Sequence, residues 1–208
     1  MREADPHTRP GEQRPGGRSA RVRRAALDAA LGLMVDEGHL ALTMDAVAAR
    51  AEIHKTTLYR RWGTVDALMR EALEEYDDVR IQRRPLPVAG SFEGDLREVA
   101  RLFGAYLSQP ITQAVLRMMI AEWPKDPDLA AWAARFWSTR GAPFDVIIER
   151  AVARGELSEA IHAAELAEPL VGPMLLRVLI TGFELDDDFL ADQAGLVFRG
   201  LRKDTEAR

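Results

Sequence analysis

The stretch from Leu42 to Trp62 constrains this chain more than any other. It opens Leu42-Thr43-Met44-Asp45-Ala46-Val47-Ala48-Ala49-Arg50-Ala51, where Thr43 is placed to cap a free backbone amide and Val47, Ala48 and Ala51 recur on one face at helical spacing. Glu52-Ile53-His54 then interrupts the run, and Ile53 is an apolar residue able to plug the corner between two helices. The next piece, Lys55-Thr56-Thr57-Leu58-Tyr59-Arg60-Arg61-Trp62, sets Leu58 and Trp62 four apart on a buried side. Lys55, Thr56, Thr57, Tyr59, Arg60 and Arg61 are left pointing outward. An exposed face of amine, hydroxyls, phenol and guanidiniums suits a groove lined with phosphates and base edges. The spacing predicts two short helices about a tight turn, the second a recognition helix.

The segment resembles the helix-turn-helix of the TetR family of transcriptional repressors. The residues that carry the resemblance are Thr57-Leu58-Tyr59, the approach through Ile53 and Lys55, and the aromatic at Trp62; it extends over about Ser19 to Leu73 and is architectural beyond that. It implies a repressor that reads a palindromic operator as a homodimer, with half-site centres roughly 34–36 Å apart or a multiple of that. It also implies a C-terminal domain that binds a small effector. Lys55, Thr56 and Arg60 are candidates for base edges, whereas Thr43, Thr57, Tyr59 and Arg61 are candidates for phosphate. A lysine that commonly contacts phosphate near the start of the next helix in that family falls on Val65 here, and Arg61 is a partial substitute. A solvated helix pair with no ligand is the plainer alternative, disfavoured because many positions of the motif agree together.

A net charge of −5 argues by itself against a nucleic-acid binder, so its distribution matters more than its sum. Through Thr64 there are 11 Lys and Arg against 8 Asp and Glu; the remainder has 17 against 25. The basic charge sits where the motif sits, and an acidic remainder keeps the rest of the molecule off DNA. The chain has no cysteine, and its four histidines are scattered without ligand spacing, so neither a metal nor a cofactor is expected. No Gly-rich phosphate loop, Gly-x-Ser-x-Gly elbow or His-Glu-x-x-His helix occurs, and the chain is not expected to be an enzyme. No apolar run is long enough to cross a bilayer and Met1-Arg2-Glu3-Ala4-Asp5 lacks the apolar block of a secretory signal; the expectation is a soluble, cytoplasmic protein.

Three regions follow. Residues 1–17 form a basic, Pro- and Gly-rich arm expected to be disordered; 18–63 form the DNA-binding domain; 64–205 form an effector-binding and dimerisation domain. The first helix starts at Ser19, with Leu27, Ala30, Leu31, Met34 and Val35 as its apolar stripe. Arg21, Arg23 and Arg24 stand at its start against the helix dipole, which suggests an external anion such as phosphate. Further helices are predicted from Val65 to about Gln82, Ser91 to Ser108 and Pro110 to Trp123. A kinked one runs from Asp126 or Pro127 through Pro143 to Gly155, a bent one from Ala163 to Gly182 around Pro169 and Pro173, and the last from Asp187 to Leu201. With no strand-like alternation, the fold class is all-α, with about nine helices.

The second domain collects aromatics and methionines suited to an apolar or aromatic effector, because thioethers and rings adapt to irregular shapes. The candidate pocket residues are Phe103, Tyr106, Met118, Met119, Glu122, Trp123, Trp132, Phe136, Trp137 and Met174, with Arg117 or Glu122 as polar anchor. The last two helices carry more apolar surface than one core needs, and Leu166, Leu170, Val178, Phe189, Leu196 and Val197 are candidates for a four-helix dimer interface. A DNA-binding architectural or adaptor protein that senses nothing is the alternative; a fully packed interior would favour it and a cavity would favour sensing.

Overall fold

A computed structural model of the chain describes residues 17–80, 86–122, 127–157 and 161–206. Its helices are α1 (Arg18–Asp36), α2 (Met44–Ala51), α3 (Lys55–Trp62), α4 (Val65–Arg80), α5 (Phe92–Leu107), α6 (Pro110–Glu122), α7 (Pro127–Ser138), α8 (Ala142–Ala153), α9 (Ala163–Leu176) and α10 (Asp187–Glu206). Short 3-10 turns lie at His39–Ala41 and Thr139–Gly141, and a π turn at Arg177–Thr181. Among the described residues there is no strand, and the fold is all-α as the periodicity predicts. None of these helices is long and apolar enough to cross a membrane. The basic arm lies, but for Gly17, outside the described residues.

The chain divides into two compact units, Met1–Ala72 and Leu73–Arg208, and the division falls inside α4. The cause is in the first half of α4. Leu68 and Ala72 are buried there, and the Glu71 carboxylate accepts bonds from α1 and α3, which makes these residues part of the first unit's core.

In the first unit, α1 buries Ala26, Leu27, Ala29, Ala30, Leu33 and Met34. Leu33 takes the inner place expected of Val35, which is exposed, because a 3.6-residue period through Ala26 and Ala30 arrives at Leu33. Thr43 caps α2 as predicted, its Oγ1 accepting the Ala46 N–H at 3.1 Å. The turn after α2 rests on Glu52, which adopts the left-handed conformation with φ 55° and ends the helix as an asparagine or glycine often does. The Ile53 N–H then reaches back to the Ala48 carbonyl at 3.0 Å. Two of the three arginines at the start of α1 have internal partners: Arg23 bonds Glu71, and Arg24 bonds Asp28 one turn on at 3.0 Å. These carboxylates answer the charge from which an external anion was expected.

In the second unit, α5 packs against α6, α8, α9 and α10. Ser91 caps it through the Gly94 N–H at 3.1 Å, and Phe92, Leu96, Val99, Phe103, Tyr106 and Leu107 face inward as their spacing predicts. Gly104 sets the approach of α10, since a β-carbon there would lie 2.7 Å from Leu190 Cδ1. The single kinked helix expected through Pro143 is two helices. Proline stands in the first turn of α8, where its missing N–H has no helical partner to lose. Pro169 and Pro173 lie inside α9, and the helix expected to reach Gly182 passes after Leu176 into the π turn, closed by Gly182 at φ 72°.

One carboxylate unforeseen in the sequence organises this unit's rim. Asp95, fully buried, accepts from the Ala89 N–H at 3.0 Å and Arg154 Nη2 at 2.9 Å, with Arg150 Nη1 at 3.7 Å. Arg150 also donates to the Pro87 and Leu86 carbonyls, and Glu156 accepts the Phe92 N–H at 2.6 Å. That backbone bond, stronger than the opposing effect of burial and aided by Arg154, holds the Glu156 carboxyl below its ordinary range. The cluster fastens the segment before α5 to the end of α8. Truncating Asp95 to alanine leaves two arginines facing a void and is expected to cost about 3–5 kcal/mol in urea unfolding of the full chain. A loss below about 1 kcal/mol would show that the cluster is solvated rather than structural.

Candidate nucleic-acid interface and ligand cavity

The roll of α3 is set by Leu58 and Trp62, which are buried. Lys55, Thr56, Tyr59, Arg60 and Arg61 are consequently exposed, Thr57 is half-buried, and Thr43 is exposed at the start of α2. Two of these cations have contacts within the unit. The Lys55 ammonium pairs with the Asp45 carboxylate of α2; Arg61 donates to Ser19 Oγ at 3.3 Å and lies 5.3 Å from the centroid of the Trp62 ring. A hollow of about 630 Å³ adjoins this face, lined among others by Arg18, Ser19, His54, Thr57, Arg60 and Arg61. Arg18, Ser19 and His54 went unnoticed as neighbours of the recognition helix, because nothing in their spacing relates the start of α1 to α3.

Behind this face sits Glu71. Its Oε2 accepts the Trp62 indole N–H at 2.7 Å, and its Oε1 accepts from Arg23 Nε. Burial pushes the carboxyl up, but the bonds from Trp62 and Arg23, with the charges of Arg23 and Arg61, outweigh it and hold Glu71 below its ordinary value. One acid thus joins α1, α3 and α4.

The second unit contains an open-mouthed, mostly apolar cavity of about 620 Å³. Phe103 of α5, Trp137 of α7 and Phe144 of α8 supply rings, and Ala163, Ala167 and Gly172 along α9 supply the room. Arg140, buried at 4% exposure, brings a guanidinium into the lining, and Glu168 lies in the same lining but exposed. A smaller hollow of about 220 Å³ shares Trp137 and Leu175 and adds Met119.

Of the pocket residues expected from the sequence, Phe103 and Trp137 line the larger cavity and Met119 the smaller. Tyr106 and Phe136 stand behind Arg140. The Tyr106 hydroxyl accepts from Nη2 at 2.8 Å, while the Phe136 carbonyl accepts from Nη1 and its ring lies 3.1 Å from the guanidinium carbon. Met118 and Met174 are core, and Trp132 is buried against Phe136 with ring centroids 5.0 Å apart, so these three line neither cavity. Glu122 lines neither, Trp123 lies outside the described residues, and Arg117 is exposed beside Gln113 at 3.2 Å. The buried polar group in the cavity is Arg140, which sequence reasoning missed because one arginine inside the helix predicted through Pro143 carries no sign of the face it takes. The small residues of α9 were missed because alanine and glycine carry no side-chain chemistry that marks a pocket.

Among the candidate dimer residues, Leu166 and Leu170 are fully buried in the subunit's own core and drop out of any face offered to a second chain. Val178 and Val197 are nearly so, and Phe189 is half-buried under the Arg177 guanidinium at 3.9 Å. Leu196 is exposed, as are Leu176, Ile180 and Phe183. Both stripes of these helices are apolar, so the pattern alone could not tell inner from outer.

Comparison with known proteins supplies the remaining finding. The family described as bacterial regulatory proteins, tetR family, matches residues 26–72, and the one described as tetracyclin repressor-like, C-terminal domain, matches residues 86–197. The uncharacterized HTH-type transcriptional regulator YdeS of Bacillus subtilis is 28% identical over 87% of this chain and 90% of its own. The DNA-binding transcriptional repressor TetR of Mycobacteroides abscessus is 29% identical over 81% of this chain and 88% of its own. Among solved structures, the flavonoid-responsive regulator FrrA superposes with a TM-score of 0.68 at 21% identity, over 88% of this chain and 96% of that one, which is a likeness of fold.

Because Glu71 has a lower pKa folded than unfolded, its contribution is fully present above its ordinary value of 4.5 and is lost as pH falls through the folded value. The Glu71→Gln variant, monitored by thermal melting of the full chain, is therefore expected to be less stable than the wild type at pH 7, with the gap narrowing as pH falls below 4.5 towards the folded value. A gap that stays constant across that range would remove the charge of Glu71 from the account.

Proposed function

This chain belongs to the TetR family of bacterial regulatory proteins, and from that premise we propose that it is a repressor, binding a palindromic operator as a homodimer and released when a planar, largely apolar molecule fills the cavity beside Trp137. It is a transcriptional regulator with a helix-turn-helix DNA-binding domain. The observation that carries the finer reading is the pairing of an exposed cationic α3 in one unit with a mostly apolar, ring-lined hollow in the other. A regulator that sensed nothing would have no use for such a hollow, and this weighs against the architectural alternative. Working on DNA, the protein would act in the cytoplasm.

On this reading Lys55, Thr56 and Arg60 meet base edges, and Lys55 exchanges Asp45 for its DNA partner. Thr43, Thr57, Tyr59 and Arg61 meet phosphates, with Arg18 and Ser19 beside them. The second copy docks on Leu176, Ile180, Phe183 and Leu196, the exposed apolar residues of α9, its π turn, the loop after it and α10. Release requires that the ligand favour a geometry unfit for DNA, with a coupling of about 1–3 kcal/mol, or roughly 5–150-fold in affinity. The connection is α4, which bonds through Glu71 in the first unit and, in the second, through the Tyr76 hydroxyl to Thr112 of α6.

Selection from a random duplex pool is expected to return a palindrome. Against it, Tyr59→Phe should weaken all sequences about fivefold, the worth of one hydrogen bond of about 1 kcal/mol; a loss confined to one base pair would transfer Tyr59 to base reading. Ile180→Glu with Leu196→Glu should turn a dimer into a monomer in sedimentation at micromolar concentration, and a monomeric wild type would defeat the dimer. A compound that releases the wild type should act differently on Trp137→Ala, and an unchanged response would displace the ligand from this cavity.

A further inference from the structure

We infer that the molecule this cavity takes is long and narrow, running along α9 and past Trp137 into the smaller hollow; the inference rests on the sensing role proposed above and deepens it. Ala163, Ala167, Val171 and Leu175 all line the larger cavity, and they stand four residues apart on α9. Residues at that spacing form one continuous strip of a helix surface, so the cavity follows α9 for nearly its whole length. At about 1.5 Å per residue, the strip from Ala163 to Leu175 spans about 18 Å. A volume of about 620 Å³ spread over that length leaves a section about 6 Å across. Such a trough takes a flat, slender molecule and has no room for a bulky one.

The trough does not stop at Leu175. Trp137 and Leu175 line the smaller hollow as well, and Leu179 in the π turn, four residues further on, carries the same row into it. Leu116, Met119 and Ile120 of α6 complete that hollow, so every residue of its lining is apolar. A molecule that fills the first hollow and reaches the second buries more apolar area, and affinity rises with the area removed from water. Recognition rests on length and section, because the buried cation of the lining is engaged by the protein itself. Arg140 Nη1 donates to the Phe136 carbonyl, and Nη2 donates to the Tyr106 hydroxyl at 2.8 Å. The rings of Phe103, Phe144 and Trp137 favour a flat, conjugated body.

The test titrates the full-length protein into trans-stilbene, 1,4-diphenylbutadiene and 1,6-diphenylhexatriene, flat uncharged probes each one vinylene unit longer than the last, and follows their fluorescence. The wild type is expected to bind each about fivefold more tightly than the one before it. Leu179→Trp, which fills the smaller hollow, should abolish the gain at the longest probe and leave trans-stilbene within about twofold of its wild-type affinity. Ile120→Trp fills the same hollow from an exposed position of α6 and should do likewise. Ala167→Phe obstructs the trough itself and should weaken all three probes about tenfold or more. Equal affinities along the wild-type series overturn the long molecule and leave the cavity standing. A gain at the longest probe that survives both fillers overturns the passage beyond Trp137, and binding unmoved by Ala167→Phe overturns the trough as the place where the probes sit. If neither filler folds, a crystal structure of the wild type with diphenylhexatriene decides: density on both sides of Trp137 supports the inference, and density on one side overturns it. Binding of none of the three overturns it also, and if compact apolar compounds such as naphthalene are silent too, the sensing role falls with it.

Discussion

A single carboxylate decides how the DNA-reading unit holds together. Glu71 receives the Trp62 indole from α3 and the Arg23 guanidinium from α1, so two helices depend on one acid on a third. Hydrogen bonds to an ionised group are stronger than those between neutral groups, and they specify direction as well as distance. Trp62 is therefore more than a greasy anchor for the recognition helix. Its ring buries the helix and its N–H fixes the roll, which determines where Lys55, Thr56, Tyr59 and Arg60 point. The same bonds draw the first half of α4 into the reader's core, and the division between the units at Ala72 follows from that.

The second unit solves a different problem, that of carrying a hollow without collapsing. Its rim is locked by Asp95, whose buried charge is answered by Arg150 and Arg154 and by a backbone amide. Separately, α9 presents alanine and glycine to the hollow, where larger side chains would have filled the space. A hollow lined by small residues on one helix and rings on three others is maintained by its neighbours' rigidity rather than by its own contacts. Placing a guanidinium in it is costly unless the charge is used or well partnered. The aromatic faces of Phe136 and Tyr106 and the acceptors beside them reduce that cost.

Much of this was legible in the chain. Thr43, Thr64 and Ser91 cap helices where their position before an apolar run predicts it, since a hydroxyl at that place satisfies an amide that the helix cannot. The inward faces of α3 and α5 follow from period alone, because each has one apolar stripe and one polar one. The resemblance around Thr57-Leu58-Tyr59 carried the family, and the matches over 26–72 and 86–197 agree with it.

What the tertiary structure decided are the matters in which local pattern is degenerate. Leu166 and Leu170 inside, Ile180 and Leu196 outside, is a choice between two apolar stripes that only packing can make. Asp95 reads as a solvated first-turn acid until Arg150 and Arg154, more than fifty residues away, bury it. Arg140 reads as one more charge on a predicted helix until Tyr106 and Phe136 enclose it, and a cavity, being the absence of atoms, has no residue pattern of its own. The sequence by itself determined the helices, the caps and the face offered to DNA, because those depend on neighbours three and four residues apart. Which charges are buried, which apolar stripe stays bare and where the hollow lies depend on residues brought together from distant parts of the chain, and the fold alone settled them.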